Sequence, residues 1–388
     1  MEYELGELLP YEQPADYIVE STDYDDSYKT PVLTAGKSFI IGYTNETKGI
    51  YTKLPVIIFD DFTTSSQYVD FPFKVKSSAM KILSVNSEIA DLKYLFYKMQ
   101  TIQFDSANHK RYWISEYSKI KLDLPTLVEQ QRIVNRIETM FSKLDQAQEK
   151  AQAVLDSFET RKAAILHKAF TGELTANWRK ENGVKDDSWE ERTLDDIAEY
   201  KKGPFGSSIT KAMFVPKSNN TYKVYEQGNA IRKTINYGSY YITQEKYNEL
   251  KSFAVQPNDI IISCAGTIGE VFKLPNEIEQ GVINQALMRV RIKSNTNEKF
   301  FIYYFGEVIK GDVQNKSNGT AIQNIPPFKI MKAMTINLPS LHEQQEIVRI
   351  LDNVLEKESR AKGAAQTVLD QIALLKKSIL ARAFRGEL

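Results

Sequence analysis

The chain is poor in the residues that build disulfides and metal sites: one cysteine, Cys264, and three histidines, His109, His167 and His342, in 388 residues. A lone thiol excludes an internal disulfide framework and fits a reducing cytoplasm. Imidazoles this scattered give no zinc-type spacing, so no metal site is expected. Nowhere do about 18 apolar residues run together. The glutamate-rich start MEYELGELLPYEQ has no apolar core of the kind a secretion signal needs. The expectation is a soluble, cytoplasmic chain with no membrane contact. Net charge is missing too, because 50 basic residues balance 50 acidic ones. The chain as a whole is therefore no general polyanion binder, and any nucleic-acid surface must be local. The length asks for two or three compact units.

What the sequence does have is an internal repeat. LPTLVEQQRIVNRIETMFSKLD at 124–145 returns as LPSLHEQQEIVRILDNVLEKES at 338–359. An offset of 214 aligns Leu124–Leu174 with Leu338–Leu388 without a gap, and roughly 23 of about 51 pairs are identical, closing on AFTGEL and AFRGEL. Each copy opens with a capping-box pattern, Thr126 with Glu129 and Ser340 with Glu343, in which hydroxyl and carboxylate satisfy each other's backbone amides. In the first copy Val134, Ile137, Phe141, Leu144, Ala151, Leu155, Phe158, Ile165 and Ala169 recur at three- and four-residue steps, the seam of a coiled coil. The second repeats it with Val348, Leu351, Leu355, Ala365, Leu369, Ile372, Ile379 and Ala383. Each copy is expected to be one rod of about 45 residues, roughly 65–70 Å long, stopped by Gly172 or Gly386. Polar residues interrupt both seams, Gln148 and Lys162 against Lys362 and Lys376, at positions able to fix register.

A fainter repeat links the segments between the rods. SSAMKILSVNSEIADLKYLFYKMQ (77–100) resembles NQALMRVRIKSNTNEKFFIYYFGEV (284–308): a strand pattern, a polar turn, then an aromatic-rich helix. The strand-like runs PVIIFDD (55–61), DIIISCAG (259–266) and EVFKLP (270–275) make each globule a mixed α/β domain. If the rods pair antiparallel, the second globule hangs from their tip as a closed insertion and the chain returns to the first. A parallel pairing would force a long backward connection. The expected fold class is α+β: two mixed α/β domains joined by two long antiparallel coiled-coil helices in a pseudo-twofold dumbbell. The segments are 1–123, first head; 124–174, first spacer helix; 175–188, linker; 189–337, second head; and 338–388, second spacer helix.

The LPxLxEQQxIV opening, the AFxGEL close, PNDIIISCAGTIG (257–269) and NGTAIQNIPPFKIMKAMTINLP (318–339) together resemble type I restriction-modification specificity subunits, over nearly the whole chain. The resemblance implies that each head is a target-recognition domain reading one half of a bipartite double-stranded DNA target. The helices would set the gap between halves. It also implies a chain without catalysis of its own, which docks two methyltransferase subunits that are joined by restriction and translocation subunits. No cofactor is then expected on this chain, while S-adenosylmethionine, ATP and magnesium belong to the partner subunits. The first head departs from the pattern, since MEYELGELLPYEQPADY has no clear equivalent of KKGPFGSS (201–208).

Candidate contacts follow from side-chain chemistry. In KKGPFGSS, Lys201 and Lys202 flank a Gly-Pro turn with the hydroxyls of Ser207 and Ser208, either a phosphate cradle or a solvated loop. EQGNAIRKTINYGSYY (226–241) interleaves Arg232 and Lys233 with Asn236 and Tyr237, the mixture used on base edges, though a strand edge reads the same way. KSNGTAIQNI (316–325) offers Lys316, Asn318, Thr320 and Gln323, a loop the resemblance favours. In the first head, DDFTTSSQY (60–68) presents Thr63, Thr64, Ser65, Ser66 and Gln67. NHKRYWIS (108–115) sets His109, Lys110 and Arg111 beside Tyr112 and Trp113. The NIPPF stretch (324–328) is similar to the Asn-Pro-Pro-aromatic motif of adenine methyltransferases. Ile325 interrupts it, however, and no Gly-rich strand-turn-helix suits S-adenosylmethionine. GTIG (266–269) is too short for a dinucleotide fingerprint. The competing readings are a fused methyltransferase, separated by methyl transfer from the purified chain, and a DNA-independent scaffold, separated by salt-dependent DNA binding.

Overall fold

Residues 2–36, 38–102, 111–306 and 328–388 are described by the computed structural model. The chain divides into two compact units, Met1–Leu155 with Ala364–Leu388, and Asp156–Gly363, so each globule is grouped with stretches of the helical repeat. In the first unit, apolar runs such as Val56–Phe59 are wholly buried because both faces of their sheet are covered. Its strands are β1 (Glu2–Glu4), β2 (Tyr11–Glu12), β3 (Thr30–Leu33), β4 (Ile40–Thr44), β5 (Val56–Asp60), β6 (Ser66–Val69), β7 (Lys74–Val75), β8 (Met80–Leu83) and β9 (Lys121–Asp123). They form three sheets, β1-β9, β2-β8-β5-β6 and β4-β3-β7.

The second unit follows the same plan. Its strands are β10 (Glu190–Thr193), β11 (Ala198–Lys202), β12 (Thr221–Tyr225), β13 (Tyr241–Thr243), β14 (Ile260–Ser263), β15 (Val271–Lys273), β16 (Gly281–Ile283), β17 (Leu287–Ile292) and β18 (Thr335–Leu338). They assemble as β10-β18, β11-β17-β14-β15 and β13-β12-β16, the first unit's order strand for strand. Even the one parallel pairing among the described strands recurs, β3 with β7 and β12 with β16. The faint repeat between the heads is therefore complete in topology. The fold class is α+β, with two mixed α/β recognition-type domains. Among the described residues no helix is long and apolar enough to cross a membrane.

A helix rich in aromatics covers the four-stranded sheet of each unit, Leu92–Met99 in one and Glu298–Tyr304 in the other. Asp91 and Asn297 cap them, accepting from the amides of Tyr94 at 2.9 Å and Phe300 at 3.1 Å. Each cap is tied to the start of a repeat helix by one buried glutamine. Gln130 accepts from the Asp91 amide at 2.8 Å and donates to the carbonyls of Ile89 at 3.3 Å and Pro125 at 2.9 Å. Gln344 accepts from the Asn297 amide at 2.6 Å and donates to the carbonyls of Asn295 at 3.2 Å and Pro339 at 2.8 Å. Both glutamines are wholly buried. Next to this clamp the helix contributes directly to the core: Val134 packs with Leu95 and Trp113, and Ile347, Val348 and Leu351 pack with Phe300 and Phe301.

The second helical stretch is one helix, Leu341–Ala383. The first is not the single rod expected, because it is interrupted at Ser157 between Leu127–Asp156 and Phe158–Phe170. The seam faces inward throughout. Val134, Ile137, Ala151, Ala169, Val348, Leu351, Ala365, Ile372 and Ala383 are buried, and Phe141, Leu144, Leu155, Phe158, Ile165, Leu355, Leu369 and Ile379 are half-buried. Within each unit the pairing is antiparallel. In the first, Ile137 packs on Leu380 and Ala383, while Lys376 binds Asp145 at 2.6 Å and lies 5.4 Å from the Phe141 ring centre. In the second, Lys362 sits 4.2 Å from the Phe158 ring centre and 3.6 Å from Glu159, and Arg161 meets Glu358 at 2.8 Å. Two of the three lysines that interrupt the seams, Lys362 and Lys376, thus bridge the helices, ammonium over an aromatic face and against a carboxylate. Gly172 and Gly386 end their helices at φ +83° and +75°, a conformation that glycine adopts without strain.

Only the hydroxyl half of each capping box forms: the amides of Glu129 and Glu343 donate to Thr126 at 3.4 Å and Ser340 at 3.3 Å. The carboxylates turn elsewhere. Glu129 holds the exposed Arg132 in a two-pronged pair at 2.7 and 2.8 Å. Glu343, wholly buried, accepts from Thr175 and Arg179, each at 2.7 Å. Two measurements follow. Gln344→Ala removes both donors and the acceptor from a dry site and is expected to cost about 2–5 kcal/mol in chemical denaturation. An unchanged unfolding curve would remove the clamp from the account of the fold. Glu343→Gln takes away the charge that the buried Arg179 meets at 2.7 Å and leaves it only the exposed Asp186 at 3.3 Å, and should destabilise by about 1.5–3 kcal/mol. Glu129→Gln, on an exposed pair, should change stability by no more than about 1 kcal/mol. Equal effects of the two substitutions would contradict the difference in burial.

Candidate nucleic-acid interface

In the first unit the segment 60–65 is the turn between β5 and β6, whose alternation places short polar side chains at the tip. Asp60 accepts from the amides of Phe62 and Thr63, both at 2.9 Å, and Thr64 lies in the left-handed region at φ +57°. Thr63 is exposed, while Thr64, Ser65 and Gln67 are half-buried. Ser66 is a correction: it is buried and receives the Gln100 side chain at 2.8 Å, so it serves the sheet. His109 and Lys110 lie outside the described residues. Arg111 is exposed, but Tyr112 and Trp113 are each 1% exposed and belong to the core. Trp113 packs against Phe59 and Tyr117 at ring-centre distances of 5.0 and 6.0 Å. Aromatic rings that fill the interior are not available to DNA bases as the chain stands.

The fold does bring the two predicted segments together, through a residue the sequence reading passed over. Asp61, wholly buried, accepts from the Trp113 amide at 2.8 Å, and its backbone carbonyl accepts from the Tyr112 amide at 2.8 Å. Lys81, also wholly buried, lies 3.3 Å from the Asp61 carboxylate and donates to Gln13 at 3.1 Å. Inside the protein the Asp61 carboxylate thus faces one backbone amide and one ammonium, the company that a buried polar group requires. It thereby holds the start of the 112–115 helical turn against the beginning of the β5–β6 turn.

In the second unit KKGPFGSS leaves the end of β11. Gly203 donates to the Leu287 carbonyl at 2.8 Å, and a Cβ there would overlap the Asn284 carbonyl oxygen. The close approach requires glycine. Lys201, half-buried, holds its ammonium 4.7 Å from the Phe253 ring centre, whereas Lys202 is exposed. Ser207 is exposed and Ser208 half-buried in a short turn, Gly206–Ser208. Together with Phe205, Phe253, Gln285 and Phe328 the lysines line a cleft of about 470 Å³. Phe205 was missed; the signal was an aromatic between turn formers, Gly-Pro before it and Gly after.

The 226–241 segment is more tied down than its composition suggests. Arg232 stands over the Tyr237 ring at 5.0 Å, and that ring lies so close to Gly228 that a side chain there would collide with it. Arg232 and Asn236 are exposed. Lys233 is a correction: it caps its helix at φ +51° and commits its ammonium to Glu270 at 2.9 Å and the Val271 carbonyl at 2.6 Å. It braces the loop and is not a free cation. Burial pushes the Cys264 thiol up to about 12 against the opposing influence of Lys202, so it stays protonated and unreactive. GTIG is the turn between β14 and β15, with Gly266 and Gly269 at φ +67° and +78°, and opens no helix on which a dinucleotide phosphate would sit. Lys316, Asn318, Thr320, Gln323 and the NIPP run lie outside the described residues.

Two units on one sheet plan, each exposing polar and basic side chains on turns between strands, define a duplicated binding module. The family model described as the type I restriction modification DNA specificity domain matches residues 1–155 and 186–366. The chain is 33% identical over 370 residues to the type I restriction enzyme EcoR124I/EcoR124II specificity subunit of Escherichia coli, covering 90% of this chain and 85% of that protein. It is 25% identical over 283 residues to the EcoBI specificity subunit of Escherichia coli, covering 69% and 58%. The crystal structure of the HsdS subunit from Thermoanaerobacter tengcongensis shares the fold at a TM-score of 0.64 and 17% identity, over 100% of this chain and 97% of that one. The chain belongs to the type I restriction-modification specificity subunits, which carry DNA sequence recognition in those systems.

Core and surface substitutions should separate cleanly in the first unit. Trp113→Ala is expected to cost about 3–5 kcal/mol in denaturant unfolding. Thr63→Ala should stay within about 0.5 kcal/mol of the parent, so that any change it makes in DNA binding is not a folding effect. A Trp113→Ala variant of parental stability would return that ring to the list of candidate contacts.

Proposed function

We propose that each head reads one half of a bipartite, asymmetric duplex target, and that the chain delivers this reading to catalytic subunits without transferring a methyl group itself. The observation that carries this is the pairing of one sheet plan with two unlike sets of turns. The shared plan supplies two equivalent docking surfaces, hence two methyltransferase subunits to one of this chain. Different turns supply different base contacts, hence unlike half-sites. Restriction and translocation subunits join that core, and S-adenosylmethionine, ATP and magnesium are bound by the partners. Among the present candidates, Thr63, Thr64 and Arg111 serve the first half-site, and Lys201, Lys202, Arg232 and Asn236 the second. Cytoplasmic residence and the segment limits at 123, 174, 188 and 337 complete the reading.

The test is reconstitution with the methyltransferase subunit, followed by mapping of modified adenines and native mass measurement. The expected outcome is one motif of two unlike halves at a fixed gap, made by a complex of two catalytic subunits to one specificity chain, with no methyl transfer by this chain alone. A palindromic or ungapped motif, or a one-to-one active complex, would overturn it.

A further inference from the structure

Phe205 is 87% exposed, the most exposed large apolar side chain of the described residues. Nothing in the fold profits from that position. Its neighbours hold it there nonetheless: Pro204 is buried, Gly203 is pressed against the 284–287 backbone, and the Ser208 amide donates to the Phe205 carbonyl at 2.8 Å. The ring therefore projects from a braced turn. Lys202 and Lys201 stand three and four residues before it, across Gly203 and Pro204, and among the described residues no acidic side chain lines the cleft they share. An apolar blade with cations nearby is the arrangement that proteins insert at a base step, a cation such as the exposed Lys202 taking a phosphate while the ring replaces lost base stacking. Bracing matters because a ring already fixed in place loses little freedom on insertion. The matching segment of the first head offers no such ring: β2 runs into Gln13-Pro14-Ala15-Asp16-Tyr17, where Tyr17 is half-buried and its hydroxyl donates to Glu12 at 2.8 Å.

We propose that Phe205 is a wedge that inserts at a base step of the half-site read by the second head. The inference rests on the reading that the two heads divide the target between them. It makes Phe205 a specificity residue without a hydrogen bond: the step that unstacks at least cost, a pyrimidine–purine step, is favoured there.

The test uses the reconstituted complex of this chain with its methyltransferase and duplexes carrying 2-aminopurine at successive steps of either half-site. With 2-aminopurine kept away from the adenines that the methyltransferases extrude, wild type should give a fluorescence rise at one step of the second head's half-site only. Phe205→Ala should abolish that rise, weaken specific binding about 5- to 100-fold and relax the motif in that half alone, with melting temperature unchanged because the side chain is exposed. Its salt dependence should stay parental, whereas Lys202→Ala should flatten the slope by about one phosphate, and Phe205→Trp should keep the rise. A Phe205→Ala complex with parental affinity and fluorescence, or one that loses both half-sites equally, overturns the wedge while leaving the two-headed reading intact. A wild-type complex that selects no bipartite site overturns the reading, and the wedge with it.

Discussion

The structure depends on one buried amide in each unit. Gln130 and Gln344 each connect the cap of the aromatic helix, the loop before it and the Leu-Pro turn that opens the repeat helix. A glutamine suits this place because its one acceptor and two donors match one backbone amide and two carbonyls that have no water to turn to. A carboxylate would lack the donors, and an aliphatic chain would orphan all three groups, each at about 1–3 kcal/mol. The clamp thus fixes the direction in which the helix leaves its globule. The neighbouring apolar positions, Val134 and Val348, can then belong to both helix and core. This is why EQQ stands at the same place in both copies while the globules between have drifted apart.

The residue before each clamp shows how the copies diverged. Glu129 is satisfied by Arg132 one turn on, at the surface. Glu343 is buried under the segment that follows the first GEL, where Thr175 and Arg179 reach its carboxylate and Trp178 lies 5.3 Å from His342 in an edge-on contact. In the first unit the position matching His342 is Val128, 79% exposed. One motif residue therefore does two jobs, an exposed pair of small net worth and a buried pair whose loss leaves Arg179 only the exposed Asp186.

Periodicity made the helices, their seam and their glycine stops legible, since the same text occurs twice and the 3.6-residue pattern is long. The interruption at Ser157 was not, because no proline or glycine marks it. Continuous apolar runs located β5, β14 and β15. The identity of sheet order in the two heads was hidden by their drift, because strand pairing depends on long-range contacts that few shared letters record. Basic residues beside aromatic ones were the least reliable sign. In the 108–115 segment the same letters that describe a base-reading loop describe a helical turn with Tyr112 and Trp113 inside and Arg111 outside. Which face turns inward is decided by Asp61, fifty-two residues before Trp113.

The division between frame and loop also explains how such a chain can change what it reads. The hairpins β5–β6 and β14–β15 hold corresponding places in their sheets, yet one turns on Asp60 with Thr64 left-handed and the other on Gly266 and Gly269. Ladder hydrogen bonds, the glutamine clamp and the helix seam supply the stability, and none of them passes through these tips. Substitutions of the exposed side chains there, unlike the buried Asp61, fall in the class that costs little stability, while the rigid strands beneath keep each new side chain in a defined place. A duplicated frame with independently variable tips can thus acquire two different half-site preferences without refolding either unit, which a single continuous binding surface could not do.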